Sequence, residues 1–377
     1  MKAVIAIDSF KGSMTSMEAG EAAKRGILRA MDAEIVVKPL ADGGEGTTEA
    51  LVTGLGGSFR SVEVKGPLGK PTQARYGILP DGKTAVLEMA EASGIILVPR
   101  TELNPWRAST VGVGQMILDA IRSGCRDFLI GIGGSATTEV GIGMLSALGW
   151  DFYDRDGALL PPVFDSLEKV VRIEAARVPK ELQNCHFRIA CDVTNPLCGA
   201  CGAVSVFGPQ KGVKPEEIPV MDAAMARYAA TAEAFSGKRC AEVPGAGAAG
   251  GLGFAFLNFF PHVELRSGID IVLEAIDLET ALRDADVVLT GEGRLDGQTA
   301  MGKVPVGVAR LAKKHGCKVL AFAGGVTEDA TACNAAGIDA FFPIVRGITT
   351  LEEAMKHEIA KHNMELAVEQ VFRLLKA

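Results

Sequence analysis

The chain has 377 residues, 48% of them hydrophobic and 23% charged, and its formal net charge is −7. This composition is typical of a globular protein and excludes a disordered chain, and the negative balance argues against general nucleic-acid binding, which needs a concentrated basic face. No uninterrupted apolar run reaches the roughly 20 residues of a membrane span, and the run before Asp8 is too short for a signal peptide, so we expect a cytoplasmic protein that binds no membrane.

The N-terminal residues predict a strand–helix–strand unit. Lys2–Ile7 is a continuous apolar run, as in a parallel strand that is buried on both faces. The segment Thr15–Glu18 has the pattern of a capping box, and the helix that it begins carries apolar residues on one face. Glu34–Leu40 is predicted to be the second strand.

The middle of the chain has a different pattern. Residues 61–92 alternate between polar and apolar and contain turn signals at 66–69 and 80–82, which predicts antiparallel hairpins. A helix near residues 111–123 and strands at 128–132 and 187–191 are expected to follow.

The strand–helix pattern returns near the C-terminus. Strands are predicted at 286–290, 318–323 and 339–345, with helices at 304–315 and 351–375. Five such strands divided between the chain ends indicate an α/β fold, a doubly wound parallel sheet interrupted by a second, inserted α/β domain. We expect the first domain to comprise residues 1–60 and 271–377, and the insertion to comprise residues 61–270.

Three glycine-rich segments resemble nucleotide-binding motifs, but each lacks the required context. Residues 77–84 match the P-loop pattern GxxxxGK[ST], yet Pro80-Asp81-Gly82 predicts a hairpin turn where the motif needs a helix. Residues 131–136 and 245–250 match dinucleotide patterns outside a chain-initial βαβ unit, so we interpret them as tight phosphate-approach or packing loops.

Histidine and cysteine offer little chemistry. The five histidines are scattered without the spacing of a metal site or a catalytic triad, which disfavours a His-dependent hydrolase. Cys198 and Cys201 form a lone CxxC pair, which we interpret as two incidental thiols, with a redox motif as the alternative.

The chemistry concentrates where predicted strands end, which in an open parallel sheet is the ligand crevice. Candidate cations there are Lys11, Arg294 and Lys303. Candidate oxygen ligands for Mg²⁺ are Asp42, Glu45, Glu292 and Asp296. Glycines and hydroxyl residues that could close on an anion are Gly43, Gly44, Gly133, Gly134, Ser135, Thr137, Gly291 and Gly293. Glycines, cations and carboxylates with almost no histidine favour phosphoryl transfer.

At these residues the sequence closely resembles the bacterial type of the glycerate kinase family. The matching segments run in order along the whole chain: Asp8–Ser13, Pro39–Thr47, Gly131–Thr137, Asp192–Leu197, Phe207–Gly212, Pro244–Gly253, Ser267–Asp270 and Thr290–Lys303. The resemblance implies a flavodoxin-like domain interrupted by a second α/β domain, and ATP-dependent, Mg²⁺-assisted phosphorylation of D-glycerate to 2-phosphoglycerate.

On that reading we expect ATP and glycerate to meet in a cleft between the two domains. Asp192 is the candidate that orients or deprotonates the C2 hydroxyl, and Lys11 and Arg294 are the candidates that neutralise phosphate oxygens. The glycines at 43, 44, 133, 134, 291 and 293 are assigned to the nucleotide together with Ser135, Thr137 and Lys303, and Asp42, Glu45 and Asp296 are assigned to Mg²⁺. The partners are small molecules, and the sequence is compatible with a monomer or a homodimer.

Two alternatives remain open. The family pattern has Asn-Asp-Gly-Gly where this chain has Thr138-Glu139-Val140-Gly141, and a longer carboxylate at Glu139 would suit a kinase of another small hydroxy acid. A flavodoxin-like sheet can also hold FMN at its strand ends, as in an electron carrier, although the loops here are charged and aromatic residues amount to only 6%.

Overall fold

The computed structural model describes residues 1–377. The N-terminal stretch contains β1 (Lys2–Ala6), α1 (Ser16–Ala30), β2 (Glu34–Lys38) and α2 (Thr47–Leu55). The middle stretch contains β3 (Ser58–Lys65), β4 (Pro71–Ile78), β5 (Thr84–Glu88), α3 (Ala90–Ser93), α4 (Val111–Arg122), β6 (Asp127–Gly131), α5 (Ile142–Ala147), β7 (Asp151–Tyr153), β8 (Arg172–Glu174), β9 (His186–Ala190), α6 (Ala203–Phe207), α7 (Ile218–Ser236), α8 (Ala248–Phe259) and β10 (His262–Arg266). The C-terminal stretch contains α9 (Gly268–Ala275), α10 (Leu278–Leu282), β11 (Val287–Leu295), α11 (Val304–Lys314), β12 (Lys318–Val326), α12 (Ala332–Ala335), β13 (Ala340–Pro343), α13 (Leu351–Ala354) and α14 (His357–Lys376).

These elements form two compact units. Unit 1 comprises Met1–Asp42, Glu49–Leu55 and Ile269–Ala377, and unit 2 comprises Gly43–Thr48 and Gly56–Gly268. None of the helices combines the length and the apolarity that a membrane span requires.

Unit 1 contains a five-stranded sheet in the order β13-β12-β11-β1-β2, in which every pair is parallel. Counted within the unit, this is the order 2-1-3-4-5 of flavodoxin-like sheets. The predicted doubly wound α/β fold is therefore confirmed. The predicted capping box is also present, because Thr15 and Glu18 exchange hydrogen bonds at the start of α1.

The two central strands of this sheet are longer than the sequence predicted. β11 continues to Leu295 and β12 to Val326, and Arg294 pairs with Gly325. The prediction that Gly291, Gly293 and Arg294 belong to a loop after the strand is therefore wrong. Gly291 is required for close strand packing, because a Cβ there would lie 2.0 Å from the Phe322 carbonyl oxygen.

The C-terminal helix is also interrupted where a single helix was predicted. α13 ends at Ala354 and α14 begins at His357, with Lys356 in an extended conformation between them. The side chain of Thr350 caps α13 by accepting a hydrogen bond from the Glu353 amide at 3.2 Å. The break lets α13 line a cavity that is described below.

Unit 2 contains a six-stranded sheet in the order β10-β9-β6-β5-β4-β3. The first four strands are parallel, and β4 and β3 add antiparallel hairpins, as predicted. The P-loop look-alike at residues 77–84 is the turn between β4 and β5. Asp81 closes this turn by accepting hydrogen bonds from the Lys83 and Thr84 amides, each at 2.9 Å, and Thr84 begins a strand rather than a helix.

The glycine-rich segment 245–250 packs against the backbone that follows segment 131–136. Gly250 has a φ of 70°, and a Cβ there would lie 2.1 Å from the Thr137 carbonyl oxygen. Opposite it, Val140 has a φ of 56° and donates its amide hydrogen to the Gly250 carbonyl at 3.0 Å. A β-branched residue in the left-handed region is strained, so surrounding contacts must hold this loop in place.

Candidate functional site

A cavity of about 540 Å³ lies at the carboxyl ends of β1, β11 and β12 in unit 1, and we call it the unit 1 cavity. Its polar lining includes Asp8, Ser9, Lys11, Ser13, Asp42, Glu292, Arg294, Asp296, Lys303 and Asn363. Its apolar lining includes Phe10, Ile344, Val345, Leu351, Ala354, Met355 and Ala360.

Carboxylates crowd one side of the unit 1 cavity. Asp8 is nearly buried and accepts a hydrogen bond from the Ser9 amide at 2.6 Å. Burial, followed by the negative charge of Asp42, raises the pKa of Asp8 to about 7. Burial also raises the pKa of Glu292, which accepts a hydrogen bond from the Thr299 hydroxyl at 2.6 Å. A site with several carboxylates in low dielectric attracts a cation.

Basic side chains face the same cavity in loose, exposed ion pairs. Lys11 Nζ lies 3.7 Å from Asp42 Oδ2, and Arg294 Nε lies 3.9 Å from Asp296 Oδ2. Both cationic side chains are about 70% exposed, at 69% for Lys11 and 70% for Arg294. Exposed pairs of this kind contribute little stability, so both cations can turn toward an anionic ligand. Lys303 adds a third cation directly before α11.

The structure contains no preformed group of three His, Cys, Asp or Glu side chains that could hold a metal ion. Mg²⁺ in kinases is commonly held by one or two carboxylates together with waters and substrate phosphates, so a preformed cage is not required. The crowded carboxylates of the unit 1 cavity fit that donor set. They include three of the four candidate oxygen ligands named from the sequence, Asp42, Glu292 and Asp296, together with Asp8.

A second cavity, of about 390 Å³, lies at the carboxyl ends of β6 and β9, and we call it the unit 2 cavity. It is lined by Gly43, Gly44, Ile95, Ile132, Gly133, Gly134, Ser135, Ala190, Cys191, Asp192, Val193, Phe207, Gln210, Lys211, Ala248 and Ala249. Asp192 and Lys211 are the charged residues of this lining.

Lys211 is a buried cation that the sequence analysis left without a role. Its side chain is only 1% exposed, and Nζ donates to Ser135 Oγ at 2.7 Å and to the Thr137 carbonyl oxygen at 2.6 Å. Burial lowers the pKa of Lys211 to about 7, although the negative charge of Glu139 opposes the shift. The motif Phe207–Gly212 contains the residue, but nothing in that motif reveals its burial.

The loop that contains Gly43 and Gly44 is held by a buried carboxylate at the end of β5. Glu88 accepts hydrogen bonds from the Thr48 amide at 2.8 Å and from the Gly46 amide at 3.2 Å. On the other side of the cavity, Asp192 Oδ1 accepts a hydrogen bond from the Gly268 amide at 2.9 Å. These contacts place glycine backbone and one exposed carboxylate around the same space.

Most predicted site residues line one of the two cavities. Lys11, Asp42, Gly293, Arg294, Asp296 and Lys303 line the unit 1 cavity, and Gly43, Gly44, Gly133, Gly134, Ser135 and Asp192 line the unit 2 cavity. The remaining three line neither. Glu45 is exposed, Gly291 is inside β11, and Thr137 is fully buried with its carbonyl on Lys211.

The residues behind two of the alternative interpretations, Glu139 and the Cys198–Cys201 pair, lie outside both cavities. Glu139 is completely buried and accepts hydrogen bonds from the Thr110 amide at 2.8 Å and the Gly143 amide at 3.1 Å. It lines neither cavity, so the departure at Glu139 does not change the lining of either. Cys198 and Cys201 are free thiols, and burial raises the pKa of Cys198 to about 12, which makes it unreactive.

Comparisons with known proteins agree on one family. The pattern described as the glycerate kinase family matches residues 3–376. The chain is 44% identical over 376 residues to the glycerate kinase of Haemophilus influenzae, covering 100% of this chain and 99% of that protein. It is 44% identical over 357 residues to the glycerate 2-kinase of Escherichia coli, covering 94% of this chain and 93% of that protein. A solved structure described as glycerate kinase 2 from Salmonella typhimurium has a TM-score of 0.92 at 42% identity, over 100% of this chain and 98% of that one.

Proposed function

The chain belongs to the glycerate kinase family, and from that membership we propose that it transfers the γ-phosphate of ATP to the C2 hydroxyl of D-glycerate. The products are ADP and 2-phosphoglycerate. Within the structure, the observation that supports the proposal is the contrast between a highly charged cavity suited to a metal nucleotide and a second cavity with one carboxylate and one buried lysine. Because both substrates are cytosolic metabolites, the proposal also implies a cytoplasmic enzyme.

We assign the nucleotide to the unit 1 cavity. Three cationic side chains there, Lys11, Arg294 and Lys303, match the charge of a triphosphate. The apolar wall that includes Leu351 and Met355 offers a surface on which a purine base can be buried. The volume of about 540 Å³ is within the range of small-molecule sites.

Mg²⁺ would be held in the same cavity by Asp42 and Asp296, with Asp8 and Glu292 beside them. When bound with the nucleotide, the ion would neutralise charge on the phosphate oxygens. Burial and, after it, the negative charge of Asp42 raise the pKa of Asp8, and a cation bound beside these carboxylates would oppose both effects. Glu45, which the sequence also offered as a ligand, does not line the unit 1 cavity.

We assign glycerate to the unit 2 cavity, where Asp192 is the residue that acts on the C2 hydroxyl. Its carboxylate is exposed, and the Gly268 amide fixes one of its oxygens. Asp192 orients the hydroxyl and accepts its proton as the oxygen attacks the γ-phosphorus. The bond from phosphorus to the β-phosphate oxygen breaks, and the electron pair leaves with ADP. Lys11 and Arg294 neutralise the oxygens of the transferring group, which is the largest contribution a phosphotransferase makes.

The test is a coupled assay with Mg-ATP and D-glycerate, in which ADP release and 2-phosphoglycerate are measured separately. Enolase dehydrates 2-phosphoglycerate directly and leaves 3-phosphoglycerate untouched, so an absorbance signal with enolase alone reports the position of transfer. We expect both signals. ADP release without the enolase signal would place the phosphate on the C3 hydroxyl, and a lack of ADP release would refute glycerate as the acceptor.

A further inference from the structure

Lys211 has one more hydrogen-bond donor than the protein satisfies. A protonated lysine carries three N–H groups, and a neutral one carries two. Only two acceptors contact Nζ, the Ser135 hydroxyl oxygen and the Thr137 carbonyl oxygen, and both are uncharged. The negative charge of the buried Glu139 acts on Lys211 without a hydrogen bond to Nζ, so the third N–H still has no acceptor in the protein. A buried donor of this kind is costly to leave unpaired, and it calls for an acceptor from a ligand.

Further unsatisfied donors line the same cavity. Ser135 accepts from Lys211 through Oγ, and its own hydroxyl hydrogen has no acceptor in the protein. The amide groups of Gly133 and Gly134 are exposed and donate to no protein acceptor. Gly134 has a φ of 73°, a backbone conformation that glycine adopts readily. Successive unpaired N–H groups of this kind make an anion-binding concavity.

The charges that line the unit 2 cavity indicate which kind of anion it would bind. Lys211 is its only cation, and Asp192 brings a negative charge to the same lining. A triphosphate would meet one positive charge and one negative charge there, whereas the unit 1 cavity offers three cations to the phosphates and four carboxylates to the Mg²⁺ that accompanies them. A singly charged carboxylate balances Lys211 and leaves Asp192 for a neutral hydroxyl.

We propose that Lys211 and Ser135, with the amides of Gly133 and Gly134, form the recognition site for the carboxylate of a short 2-hydroxy acid. This inference rests on the proposed function and names the group that selects an acid over a neutral alcohol. Lys211 supplies the positive charge, Ser135 and the two amides supply neutral donors, and the C2 hydroxyl of the same molecule is left to Asp192.

The experiment compares two inhibitors that differ only in the charged group, D-lactate and D-lactamide. Both retain the C2 hydroxyl, and each inhibition constant is measured against D-glycerate. In the unaltered enzyme we expect D-lactate to bind at least about tenfold more tightly, because a hydrogen-bonded charge is worth that much or more. In Lys211→Met we expect the inhibition constants of D-lactate and D-lactamide to become nearly equal. Lys238→Met is the matched control, because Lys238 Nζ also donates to two neutral carbonyl oxygens but lies outside both cavities, and it should keep the preference.

Two further measurements separate the alternatives. Ser135→Ala tests the same site if Lys211→Met fails to fold, and it should reduce the preference several-fold. The dissociation constant of Mg-ADP should be the same in all variants, whereas a weakened Mg-ADP complex with an unchanged lactate preference would assign Lys211 to nucleotide phosphate and overturn the proposal. An unchanged preference with unchanged Mg-ADP binding, or no preference in the unaltered enzyme, would also overturn it. Turnover of D-glycerate by the unaltered enzyme is scored separately, so failure here is distinguishable from failure of the proposed function.

Discussion

Each of the two cavities lies at the carboxyl ends of parallel strands in its own sheet, but the charges that line them differ. The unit 1 cavity combines four carboxylates with three exposed cations and an apolar wall. The unit 2 cavity is mostly glycine and apolar side chains, with one carboxylate and one fully buried lysine. The strand ends of a parallel sheet therefore supply a place for a ligand, and the side chains in that place decide which ligand it is.

The difference also concerns how each charge is held. Lys11 and Arg294 are exposed and paired at 3.7 Å and 3.9 Å, so they can move to follow a phosphoryl group. Lys211 Nζ is held by two hydrogen bonds inside the protein, so it cannot move with a group that is transferred. Mobile cations suit a group that is transferred, and a fixed cation suits a group that only has to be recognised.

Replacing Arg294, a cation proposed to contact the transferred phosphoryl group, should have the largest effect on kcat. Arg294→Met is expected to lower kcat by about 10³-fold, the scale of an arginine that stabilises a phosphoryl transition state, and to leave the KM for glycerate unchanged. Steady-state kinetics checks this. Arg310→Met is the control, since Arg310 lies in the same unit and pairs with Asp270 at 3.3 Å outside the cavity. Equal kcat values for the two variants would remove Arg294 from the reaction.

Replacing the acceptor-site carboxylate should have the next largest effect. Asp192→Asn keeps an oxygen for the Gly268 amide but removes the base, and we expect kcat to fall about 10²-fold. The matched control is Asp222→Asn, because Asp222 also accepts from a glycine amide, that of Gly199 at 2.9 Å, but lines neither cavity. Undiminished kcat in Asp192→Asn would exclude this residue from the mechanism.

The apolar wall should affect nucleotide binding more modestly. Leu351→Ala is expected to raise the KM for ATP about five- to tenfold and to leave the KM for glycerate unchanged, because it removes apolar surface that the base would cover. Leu374→Ala is a well-matched control, since Leu351 and Leu374 are both 75% exposed and only Leu351 lines the cavity. If the two variants have the same KM for ATP, the base binds elsewhere.

The smallest expected effect is on thermal stability and depends on pH. The pKa of Lys211 is about 7 in the folded protein and near its ordinary value of 10.5 in the unfolded chain, so the unfolded state binds more protons between these values. The stability contributed by Lys211 therefore rises with pH across that window, and below about pH 7 the full cost of the buried charge is present. Lys211→Met lacks this cost. We therefore expect the difference in Tm, variant minus unaltered protein, to be larger at pH 6 than at pH 9 by roughly 2–4 °C.

Scanning calorimetry or a dye-based melting curve at the two pH values checks this prediction. An equal difference in Tm at pH 6 and pH 9 would mean that Lys211 is not titrating in the folded protein. The measurement needs no substrate, so it tests the burial of the lysine independently of the reaction.

Local patterns predicted much of the fold and part of the site. The apolar run of β1, the capping box of α1 and the turn at Asp81 each depend on neighbouring residues, and the structure contains all three. Asp192, Lys11 and Arg294 were found because they follow predicted strands along the chain, and each lines a cavity although Arg294 belongs to β11 itself. Gly291 was misplaced because the length of β11 depends on β12, which pairs with it from a later part of the chain.

By itself, the sequence determined the α/β class, the parallel strands of unit 1 and the segments in which chemistry collects, because periodicity, caps and turns act over a few residues. Only the tertiary structure decided that Lys211 is buried against Ser135 and Thr137, and that Glu139 is held inside by Thr110 and Gly143. Lys211 lies 76 residues from Ser135 along the chain, and Glu139 lies 29 from Thr110. The burial and the hydrogen-bond partners of a charged side chain are set by atoms that are distant in sequence, so no local pattern can reveal them.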